Sequence, residues 1–473
     1  MIKKIVLSIL LILSVIVVPI GNHVQAQEKV TVKDIANVVI FAYFEDEKEA
    51  NYFNASSILD SNKTAAQHIV EIYDGSYGRS FKNYISTISN GNVNVHNIFP
   101  QYDASTKKVQ AYKLQHKKEE AQNSNIDASV IEEIITNVQV NSNEILDYDN
   151  DGKVDNLSII LIGSAQHNGS TIPTLYPHRH VYPGSEQMNG KYVSDYNMLN
   201  TNRIFDTREK SGAIAHEFLH SIGYPDLYTS DGLHHPVGSW DIMASSNQYL
   251  AWPLAYLRMQ ISGWVNLDTI TSSKQTVTLK SADTNNGKNA VIIKSPLNPY
   301  ELFVVELRKK GDAVNEDTLD AAIGGTGLIV YRVDTSIVDL SNYHGKTAIY
   351  VFRPQKGQSG YVDGSETATL KNAFLSQDEG RISIGSTDET STLEKGALTF
   401  TDGSNSGIKI DNVSKAGDTM TFDVIVPDAS QYDLWKDTSF STNYGDVVLQ
   451  TVNDKQMAAG YNETSGGVTI IYI

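Results

Sequence analysis

Hydrophobic residues follow two different periods in the first half of the chain. Asn37–Phe44 (NVVIFAYF) and Leu157–Ile162 (LSIILI) are short, nearly continuous apolar runs rich in branched side chains, which is typical of buried strands. From Lys63 to Ser89 the apolar residues recur at helical spacing, with interruptions at Gly75 and Gly78. This pattern predicts two helices, or one broken helix, between two core strands.

Two further helices are predicted along the same half. One begins at Asp127, a residue type that caps helices. Its apolar face consists of Val130, Ile131, Ile134, Ile135 and Val138. The other runs through Ala213–Ile222 and stops at Gly223. Its buried stripe consists of Ile214, Phe218 and Ile222, at positions i, i+4 and i+8.

Two polar stretches show neither period. The residues from Gly163 to about Arg208 are therefore expected to be irregular in structure. The charge run Lys117-Lys118-Glu119-Glu120 is expected to lie on a solvated surface.

From about Asn266 the pattern changes to short alternating segments, which is typical of strands. These segments are Thr276–Leu279, Ala290–Ile293, Leu302–Leu307, Leu328–Val333, Ala348–Phe352, Ile408–Ile410 and Met420–Val426. We therefore predict an α+β protein with a mixed domain over residues 27–265 and a β-rich domain over residues 266–427. Residues 428–473 form a polar C-terminal segment that is short for a domain and is interpreted as a partial module.

The N-terminus has the pattern of a secretory signal. Lys3 and Lys4 precede an apolar run from Ile5 to Ile20, and Val24-Gln25-Ala26 resembles a signal-peptidase site. We predict that residues 1–26 are removed and that the protein is secreted. The alternative is an uncleaved membrane anchor, but the run is short for a bilayer span and contains a proline. No later stretch is apolar enough to span, so stable membrane insertion is not expected.

Composition narrows the classes of partner. The chain has 473 residues, is 40% hydrophobic and contains no cysteine, which excludes a disordered chain and a disulfide scaffold. Its 38 Lys and Arg against 55 Asp and Glu give a net charge of −17. This charge disfavours nucleic acids and anionic lipid surfaces as partners. A secreted chain without cysteine must rely on packing or bound ions for stability.

The first candidate site lies on the second of the two predicted helices. His216-Glu217-Phe218-Leu219-His220 has the pattern H-E-x-x-H. Histidines four residues apart on a helix project side by side, so the ring nitrogens of His216 and His220 can bind one Zn²⁺. Glu217 then lies beside the metal, where it can take a proton from an attacking water as general base and return it as general acid.

A catalytic zinc needs a third protein ligand, and Asp226 is the candidate. Gly223 can end the helix in a left-handed turn that folds Asp226 back toward the histidines. A glutamate ligand from a following helix has little support, because the next glutamate after Glu217 is Glu301, in the β-rich half. An aspartate that caps the next turn is the alternative role for Asp226.

A second candidate site is the acidic turn at residues 147–155, which has the pattern D-x-D-x-D-G-x-x-D. Alternate oxygens of such a loop converge on a hard cation, so we predict Ca²⁺ there. The predicted ligands are the carboxylates of Asp147, Asp149, Asp151 and Asp155 and the backbone carbonyl of Lys153. Ser158 occupies the twelfth loop position instead of the glutamate of a calcium switch, which indicates a structural or regulatory site. A solvated turn without an ion is the alternative.

Several residues near these motifs have weaker signals. Four histidines could contact substrate or metal: His178, His180, His234 and His235. An ordinary polar or supporting role is the more common interpretation of such residues. Tyr228 and Tyr249 could stabilise an oxyanion, but packing is the default role of tyrosine. Met243 is expected to pack under the site and is not a ligand.

The motifs together resemble a known family. Gly238–Ala244 (GSWDIMA) resembles the methionine-containing turn under the metal in metzincins. H-E-x-x-H-x-x-G-x-x-D, followed by Leu227-Tyr228 and this turn, resembles the M6 family, the immune inhibitor A group of secreted bacterial metalloproteases. The resemblance covers about residues 36–427, and it implies a metzincin-like catalytic domain, a mixed sheet with an active-site helix, followed by a β-sandwich-like domain. Typical metzincins have histidine where Asp226 stands, although the M6 pattern accepts aspartate.

These observations predict a secreted zinc endopeptidase that acts on proteins or peptides, with zinc and calcium as cofactors. His216, His220 and Asp226 would bind zinc, and Glu217 would act on the nucleophilic water. A catalytically idle, calcium-dependent binding or adhesion protein on the same scaffold is the alternative, although an intact Glu217 argues against it. A zinc enzyme that acts on a non-peptide bond is also compatible with the motif.

Overall fold

The computed structural model describes residues 33–47, 52–123, 127–167, 169–284, 288–345, 347–428, 448–452, 455–462 and 467–472. These residues form a mixed α/β protein with several sheets and few helices. The predicted signal peptide, residues 1–26, lies outside the described residues. Within the described ranges, no helix has the length and apolar character needed to cross a membrane.

The main sheet lies in the first half of the chain. The strands of this half are β1 (Lys33–Tyr43), β2 (Val93–Ile98), β3 (Tyr102–Asp103), β4 (Lys108–Val109), β5 (Tyr112–Lys113), β6 (Leu157–Leu161), β7 (Gln166–His167), β8 (Ser170–Thr171), β9 (His178–Val181), β10 (Gln187–Met188), β11 (Lys191–Tyr192) and β12 (Asp195–Asn200). The sheet order is β2-β1-β6-β12-β9, with β5 also paired to β1. Strands β2, β1, β6 and β12 run parallel to one another, and β9 pairs antiparallel with β12 at the edge of the sheet.

Helices cover both faces of this sheet. They are α1 (Ala65–Asp74), α2 (Phe81–Ile88), α3 (Lys118–Asn123), α4 (Asp127–Asn137), α5 (Thr201–Asp206), α6 (Gly212–Ser221) and α7 (Ala255–Gln260). Alternate residues of β1 point into two different cores: Val39 packs in the core that contains α1, α2 and α6, and Ile40 packs in the core that contains α4. Both faces are therefore buried, which explains why β1 and β6 are nearly continuous apolar runs.

The predicted strands and helices of this half are confirmed. The pattern from Lys63 to Ser89 forms two helices, because α1 ends at Asp74 and α2 begins at Phe81. Thr64 caps α1 by accepting a hydrogen bond from the Gln67 N–H.

The expectation of irregular structure from Gly163 to about Arg208 is wrong. This stretch contains β9, the wholly buried β12 and α5. Strand β12 has the sequence DYNMLN, and several of its polar side chains have hydrogen-bond partners. The Asn197 amide donates to Ser221 Oγ at 2.9 Å, and Asp195 accepts a hydrogen bond from Arg179 at 2.7 Å. A buried strand with internally paired polar groups gives no apolar period to detect.

The expectation of a solvated charge run is also wrong at Lys118. Lys118 is only 6% exposed, and its Nζ lies 2.9 Å from the carboxylate of Glu47. A lysine is buried here because it is paired with a carboxylate, which the sequence pattern does not reveal.

The second half is built from two further sheets. Its strands and helix are β13 (Asp268–Ile270), β14 (Lys274–Lys280), β15 (Ala290–Lys294), β16 (Glu301–Arg308), β17 (Gly327–Asp334), β18 (Ile349–Val351), α8 (Glu366–Lys371), β19 (Ile384–Gly385), β20 (Lys409–Asp411) and β21 (Thr419–Ile425). One sheet has the order β13-β15-β16-β17-β18, and the other has the order β14-β21-β20-β19. Side chains of both sheets, among them Phe303 and Phe422, share one hydrophobic core.

The opposite face of the β13–β18 sheet packs against the first half of the chain. Val304 of β16 and Tyr331 of β17 belong to the same hydrophobic cluster as Phe218 of α6 and Trp240. The two halves are thus joined by a continuous buried interior. The C-terminal segment adds an antiparallel sheet of β22 (Val448–Val452), β23 (Lys455–Asn462) and β24 (Gly467–Tyr472).

Candidate metal centre

Helix α6 carries the H-E-x-x-H motif. It is buried from Gly212 to Leu219, and Ile214 and Phe218 lie in the core that covers the main sheet. His216 and His220 are one helical turn apart, and their ring centroids are separated by 4.7 Å. The predicted helix is confirmed, and it brings the two imidazole rings side by side.

The end of α6 turns the chain back toward these rings. Gly223 has a φ of +98°, a conformation that favours glycine. The Tyr224 N–H donates to the Leu219 carbonyl at 3.0 Å, which closes the turn. Asp226 follows, and its Oδ1 lies 3.2 Å from Nε2 of His216 and 3.2 Å from Nε2 of His220. The carboxylate oxygen is therefore equally close to both imidazoles.

The donor set of these three residues fits a zinc ion. Nδ1 of His216 lies 3.2 Å from the Ile242 carbonyl, and Nδ1 of His220 lies 2.7 Å from the Tyr224 carbonyl. Because a carbonyl only accepts hydrogen bonds, Nδ1 carries the proton and Nε2 presents its lone pair. The facing Asp226 Oδ1 is buried without a hydrogen-bond partner. Tetrahedral zinc ligands about 2.0–2.1 Å from the metal lie about 3.3 Å from one another, which matches these separations.

Glu217 supplies a second carboxylate at the same place. Its ligand oxygen lies within 4.8 Å of the ligand nitrogens of His216 and His220. Burial raises the pKa of the Glu217 carboxyl above its ordinary value, while the two histidines oppose this rise. Burial also favours a higher pKa at Asp226, but the two histidines that face its Oδ1 outweigh burial and hold that pKa below its ordinary value. The two carboxyls therefore differ in acidity although both are near the histidines.

The methionine turn lies directly beneath these residues. Met243 is fully buried in the core, as expected for a packing residue. Its carbonyl accepts the Leu227 N–H at 3.1 Å, one residue after Asp226. The Asp241 carboxylate accepts the Met243 N–H at 2.7 Å and so fixes the turn from inside. The turn therefore supports both the His216 ring and the chain segment that carries Asp226.

A loop from the β-rich half holds the same segment from the other side. The backbone N–H of Asn342 donates to the Asp226 carbonyl at 3.0 Å. The Asn342 side-chain amide donates to the Leu227 carbonyl at 3.1 Å and to the Ile349 carbonyl at 2.9 Å, and its oxygen accepts the Ile349 N–H at 3.0 Å. Asn342 is fully buried. The β-rich half thus contributes to the position of the Asp226 segment.

We expect Asn342→Ala to weaken zinc binding about 10-fold, because the Asp226 segment loses a fixed partner while all proposed ligands remain. Zinc affinity measured by competition with a chelator tests this. The matched control is Asn405→Ala, which also removes a side chain with three backbone hydrogen bonds, to Ser386, Asp388 and Gly407. Equal zinc affinity in the two variants would contradict a positioning role for Asn342.

A cavity of about 350 Å³ opens beside His216 and Glu217. The Tyr228 ring stacks on His216 with centroids 6.3 Å apart, and Tyr176 and Arg203 also line the cavity. The nearby Asp226 and Glu217 carboxylates add to burial in raising the pKa of Tyr228. Of the two tyrosines considered from sequence, only Tyr228 is part of this wall. Tyr249 is stacked by Arg79 and Arg208 instead.

The other candidate histidines contact different partners, although His178 is near enough to Glu217 for its charge to lower the pKa of that carboxyl. His178 and His180 are on the edge strand β9, where both rings pack against Tyr196. His234 is exposed and contacts the Asp231 carboxylate at 2.7 Å, while the His235 carbonyl accepts a hydrogen bond from Arg353. Within the described part of the chain, the metal-ligating group around His216 includes none of these four.

The structure brings together three of the four carboxylates predicted to bind calcium. Ligand oxygens of Asp147, Asp149 and Asp151 lie within 4.8 Å of one another. Asp155 is not part of this group. Its carboxylate accepts the Ala36 N–H at 2.8 Å, which fastens the loop to β1.

Lysine side chains lie against the same acidic loop. Lys191 Nζ is 2.7 Å from Asp147 Oδ2, and this hydrogen bond lowers the pKa of Asp147. Lys33 Nζ is 3.3 Å from Asp149. The backbone N–H of Lys153, whose carbonyl is the predicted ligand, donates to Asp151 at 2.9 Å. The cations of the chain thus partly balance the charge of the loop.

Two residues at the centre were missed from the sequence. Asn342 lies far from the motif in a segment without any chemical signal. Arg203 lies in α5, inside the stretch expected to be irregular. A cap signal was present there, because the Asn200 side chain accepts the Arg203 N–H at 2.9 Å, but a six-residue helix gives no hydrophobic period.

Comparisons with known proteins give a weak likeness to a metalloprotease. No protein-family model matches the chain. The chain is 25% identical over 185 residues to Pre-pro-metalloprotease PrtV of Vibrio cholerae serotype O1, in strains M66-2 and ATCC 39315 / El Tor Inaba N16961. The match covers 32% of this chain and 20% of PrtV, so the chain spans about a fifth of the length of the curated relatives it matches.

One solved structure also resembles the chain at a distance. It is catalytically inactive OgpA from Akkermansia muciniphila in complex with an O-glycopeptide (glycodrosocin) substrate, with 11% identity and a TM-score of 0.27. The match covers 67% of this chain and 93% of OgpA. Membership of the M6 family stays a prediction from the motifs.

Proposed function

We propose that the chain is a secreted zinc endopeptidase of the metzincin type, related to the M6 family, that hydrolyses peptide bonds in proteins. The convergence of Nε2 of His216, Nε2 of His220 and Oδ1 of Asp226, each histidine 3.2 Å from the oxygen, is the observation that carries this proposal. The likeness to a relative described as a metalloprotease supports it.

Each residue of the centre has its own proposed role in hydrolysis. A zinc ion held by His216, His220 and Asp226 would supply a water with a pKa of about 7 and a polarised scissile carbonyl. Glu217 is buried beside the histidine nitrogens, and its carboxylate accepts a proton from the attacking water. The same carboxyl then donates that proton to the leaving amine. The adjacent cavity holds the substrate residues next to the bond that breaks.

A casein digestion tests the function. Purified protein that begins at Gln27 should cleave casein, lose this activity with a metal chelator and regain it when zinc is added back. Protein with one bound zinc per chain that leaves casein and other protein substrates intact would contradict the proposal. Activity that survives complete removal of metal would contradict the zinc mechanism.

The proposal extends to the organisation of the chain. We propose that residues 1–26 direct secretion and are removed, that residues 27–265 form the catalytic domain, and that residues 266–427 form the β-rich domain that supports it. The hydrogen bonds from Asn342 to the Asp226 segment support this last role. Residues 428–473 are proposed as a partial module.

We also propose that Ca²⁺ binds the acidic loop through Asp147, Asp149 and Asp151, with Lys153 and Asp155 completing the predicted ligand set. The oxygen-rich cluster leads within a few residues into the buried strand β6. An ion there would replace the contact of Lys191 with Asp147 and hold the loop more firmly.

We expect calcium to raise the melting temperature of metal-free wild type by several degrees, because ligand at 100 times its Kd stabilises the folded state by about 2.7 kcal/mol. The double variant Asp149→Asn, Asp151→Asn should lose this shift, and thermal unfolding with and without calcium measures it. The control variant Asp388→Asn, Asp402→Asn removes two exposed aspartates that bond only to neighbouring turns and should keep it. A wild-type melting temperature that calcium does not change would mean that the loop is only an acidic turn.

A further inference from the structure

The cavity beside His216 and Glu217 contains a cation without an acidic partner. Arg203 lines this cavity and is partly buried. Within the described residues its guanidinium makes no ion pair, and its side-chain hydrogen bond goes to the neutral amide oxygen of Asn247. Burial lowers the pKa of Arg203 below its ordinary value, and the groups that oppose this effect are Glu217, Tyr176 and Tyr228, which all line the same cavity. The positive charge therefore lies inside the substrate space.

Arg258 and Arg381 also lack an ion pair among the described residues, but Arg203 is the arginine that lines the cavity beside Glu217. The protein has 55 acidic and 38 basic residues, so carboxylates are abundant. The buried Arg308 has an acidic partner, Asp320, at 2.6 Å, and the buried Arg258 donates to the Ile88 carbonyl and the Asn90 side chain instead. A partly desolvated arginine without an anion costs free energy unless a ligand supplies the anion. A planar guanidinium is also suited to bind a carboxylate through two parallel hydrogen bonds.

Helix α5 fixes the direction of this side chain. The helix starts at the carboxyl end of β12, the strand that packs beneath α6, and Asn200 caps it through the Arg203 N–H. Asn247, the partner of the guanidinium, also lines the cavity. The backbone of Arg203 is thus fixed by the helix cap, and its guanidinium bonds to the neutral amide of Asn247. The remaining N–H groups of the guanidinium are available to a ligand.

We propose that Arg203 makes the enzyme selective for substrates that carry a carboxylate on a residue next to the scissile bond. This inference rests on the proposed peptidase function and names its substrate class. The carboxylate binds the guanidinium in the cavity while the adjacent peptide bond lies at Glu217. A neutral isostere such as glutamine keeps the shape but loses the charge-assisted hydrogen bonds.

Peptide kinetics test this selectivity. Mass spectrometry first locates the casein bond that wild type cuts fastest, and end-blocked peptides of that sequence are made with Glu, Gln or Lys on either side of it. At one of the two positions we expect kcat/KM for Glu to exceed that for Gln about 10- to 100-fold, with Lys slower still. Arg203→Gln should bring the ratio of Glu to Gln close to one, and Arg203→Glu should favour Lys.

Two further variants separate selectivity from folding. Arg203→Lys keeps the charge but loses the planar fork, so it should keep a reduced preference for Glu. The control Arg208→Gln removes a positive charge from the neighbouring exposed segment, outside the cavity, and should keep the full wild-type ratio. Loss of the ratio in Arg208→Gln as well would overturn the assignment to Arg203.

Further peptide measurements identify the source of the carboxylate and distinguish failure of the selectivity from failure of the peptidase function. Peptides that end one residue after the scissile bond, as free acid or amide, reveal whether a terminal carboxylate is preferred to a glutamate side chain; either preference supports the role of Arg203. Hydrolysis of all peptides at equal rates in wild type would overturn the selectivity and leave the peptidase function intact. Failure to cleave any peptide or casein would overturn the peptidase function, and the selectivity with it.

Discussion

Replacing Glu217 by glutamine should lower peptide hydrolysis at least about 100-fold while the variant still binds one zinc per chain. The substitution keeps the size of the side chain in a site where Glu217 is only 5% exposed, but it removes the carboxylate that we propose as the proton acceptor. His216, His220 and Asp226 do not change, so the metal should be retained. Metal content by atomic absorption, together with kcat/KM on a casein-derived peptide, measures both quantities on one sample.

The matched control is Glu209→Gln, just before helix α6. Glu209 is also buried, and burial raises its pKa to about 7, so glutamine resembles the protonated form that is already populated at neutral pH. This variant should keep both zinc and most of the activity. A Glu217→Gln enzyme that cleaves peptide at the wild-type rate would show that another group accepts the proton.

The local part of the centre was predictable from the sequence because its geometry is set by a helix. The spacing of His216 and His220 places the two proposed zinc ligands on one face, and the apolar stripe through Phe218 correctly predicts that the helix packs in the core. Gly223 predicted the reversal after the helix, and its φ of +98° confirms the conformation on which that argument depended. These features depend on residues less than three helical turns apart.

The parts that depend on distant residues were not predictable. Strand β12 has a polar sequence, so it does not look like a buried strand. It can be buried because Asn197 and Asp195 bond to side chains of α6 and β9, which only the fold brings near. Lys118 looks exposed because its partner Glu47 is far away in sequence. The hydrogen bonds of Asn342 to the Asp226 segment likewise join two halves of the chain. A hydrophobic period in the sequence predicts a single helix or strand. The burial of these polar residues depends instead on contacts between two distant elements.

The acidic loop was predictable from the sequence only in part. Its spacing correctly predicted that three carboxylates, Asp147, Asp149 and Asp151, come together. The pattern could not show that Asp155 hydrogen-bonds to the backbone of β1 or that Lys191 reaches Asp147, since both partners belong to other strands.

The interior that joins the two halves connects the β-rich half to the candidate metal centre. Arg308 of β16 donates to the carbonyls of Trp240 and Trp252 at 2.7 and 3.1 Å, and its guanidinium pairs with Asp320. Trp240 stands next to Asp241, which fixes the methionine turn under His216. A mutation in β16 should therefore disturb the metal centre through the turn, without touching a ligand.

Replacing Asp226 by alanine should have the largest effect on the metal. If Asp226 binds zinc, the alanine variant should lose zinc affinity by more than the ~10 to 100-fold seen for supporting residues, and excess zinc should partly restore activity. The fold should survive, because the Asn342 N–H bonds to the Asp226 backbone carbonyl and not to its side chain. Asp226→His should keep more zinc than the alanine variant, since imidazole is also a zinc ligand. Bound zinc per chain after dialysis measures each case.

The alternative role of Asp226, a turn cap, predicts a different result and has a direct control in the same chain. Asp231 is such a cap, since its carboxylate accepts the Leu233 N–H at 2.9 Å. Asp231→Ala should therefore lower the melting temperature only slightly, with zinc still stoichiometric. The Asp226 Oδ1 instead faces two imidazole nitrogens at 3.2 Å. If Asp226→Ala behaves like Asp231→Ala, with zinc near one per chain, then the third ligand lies elsewhere and the proposed set of His216, His220 and Asp226 is wrong.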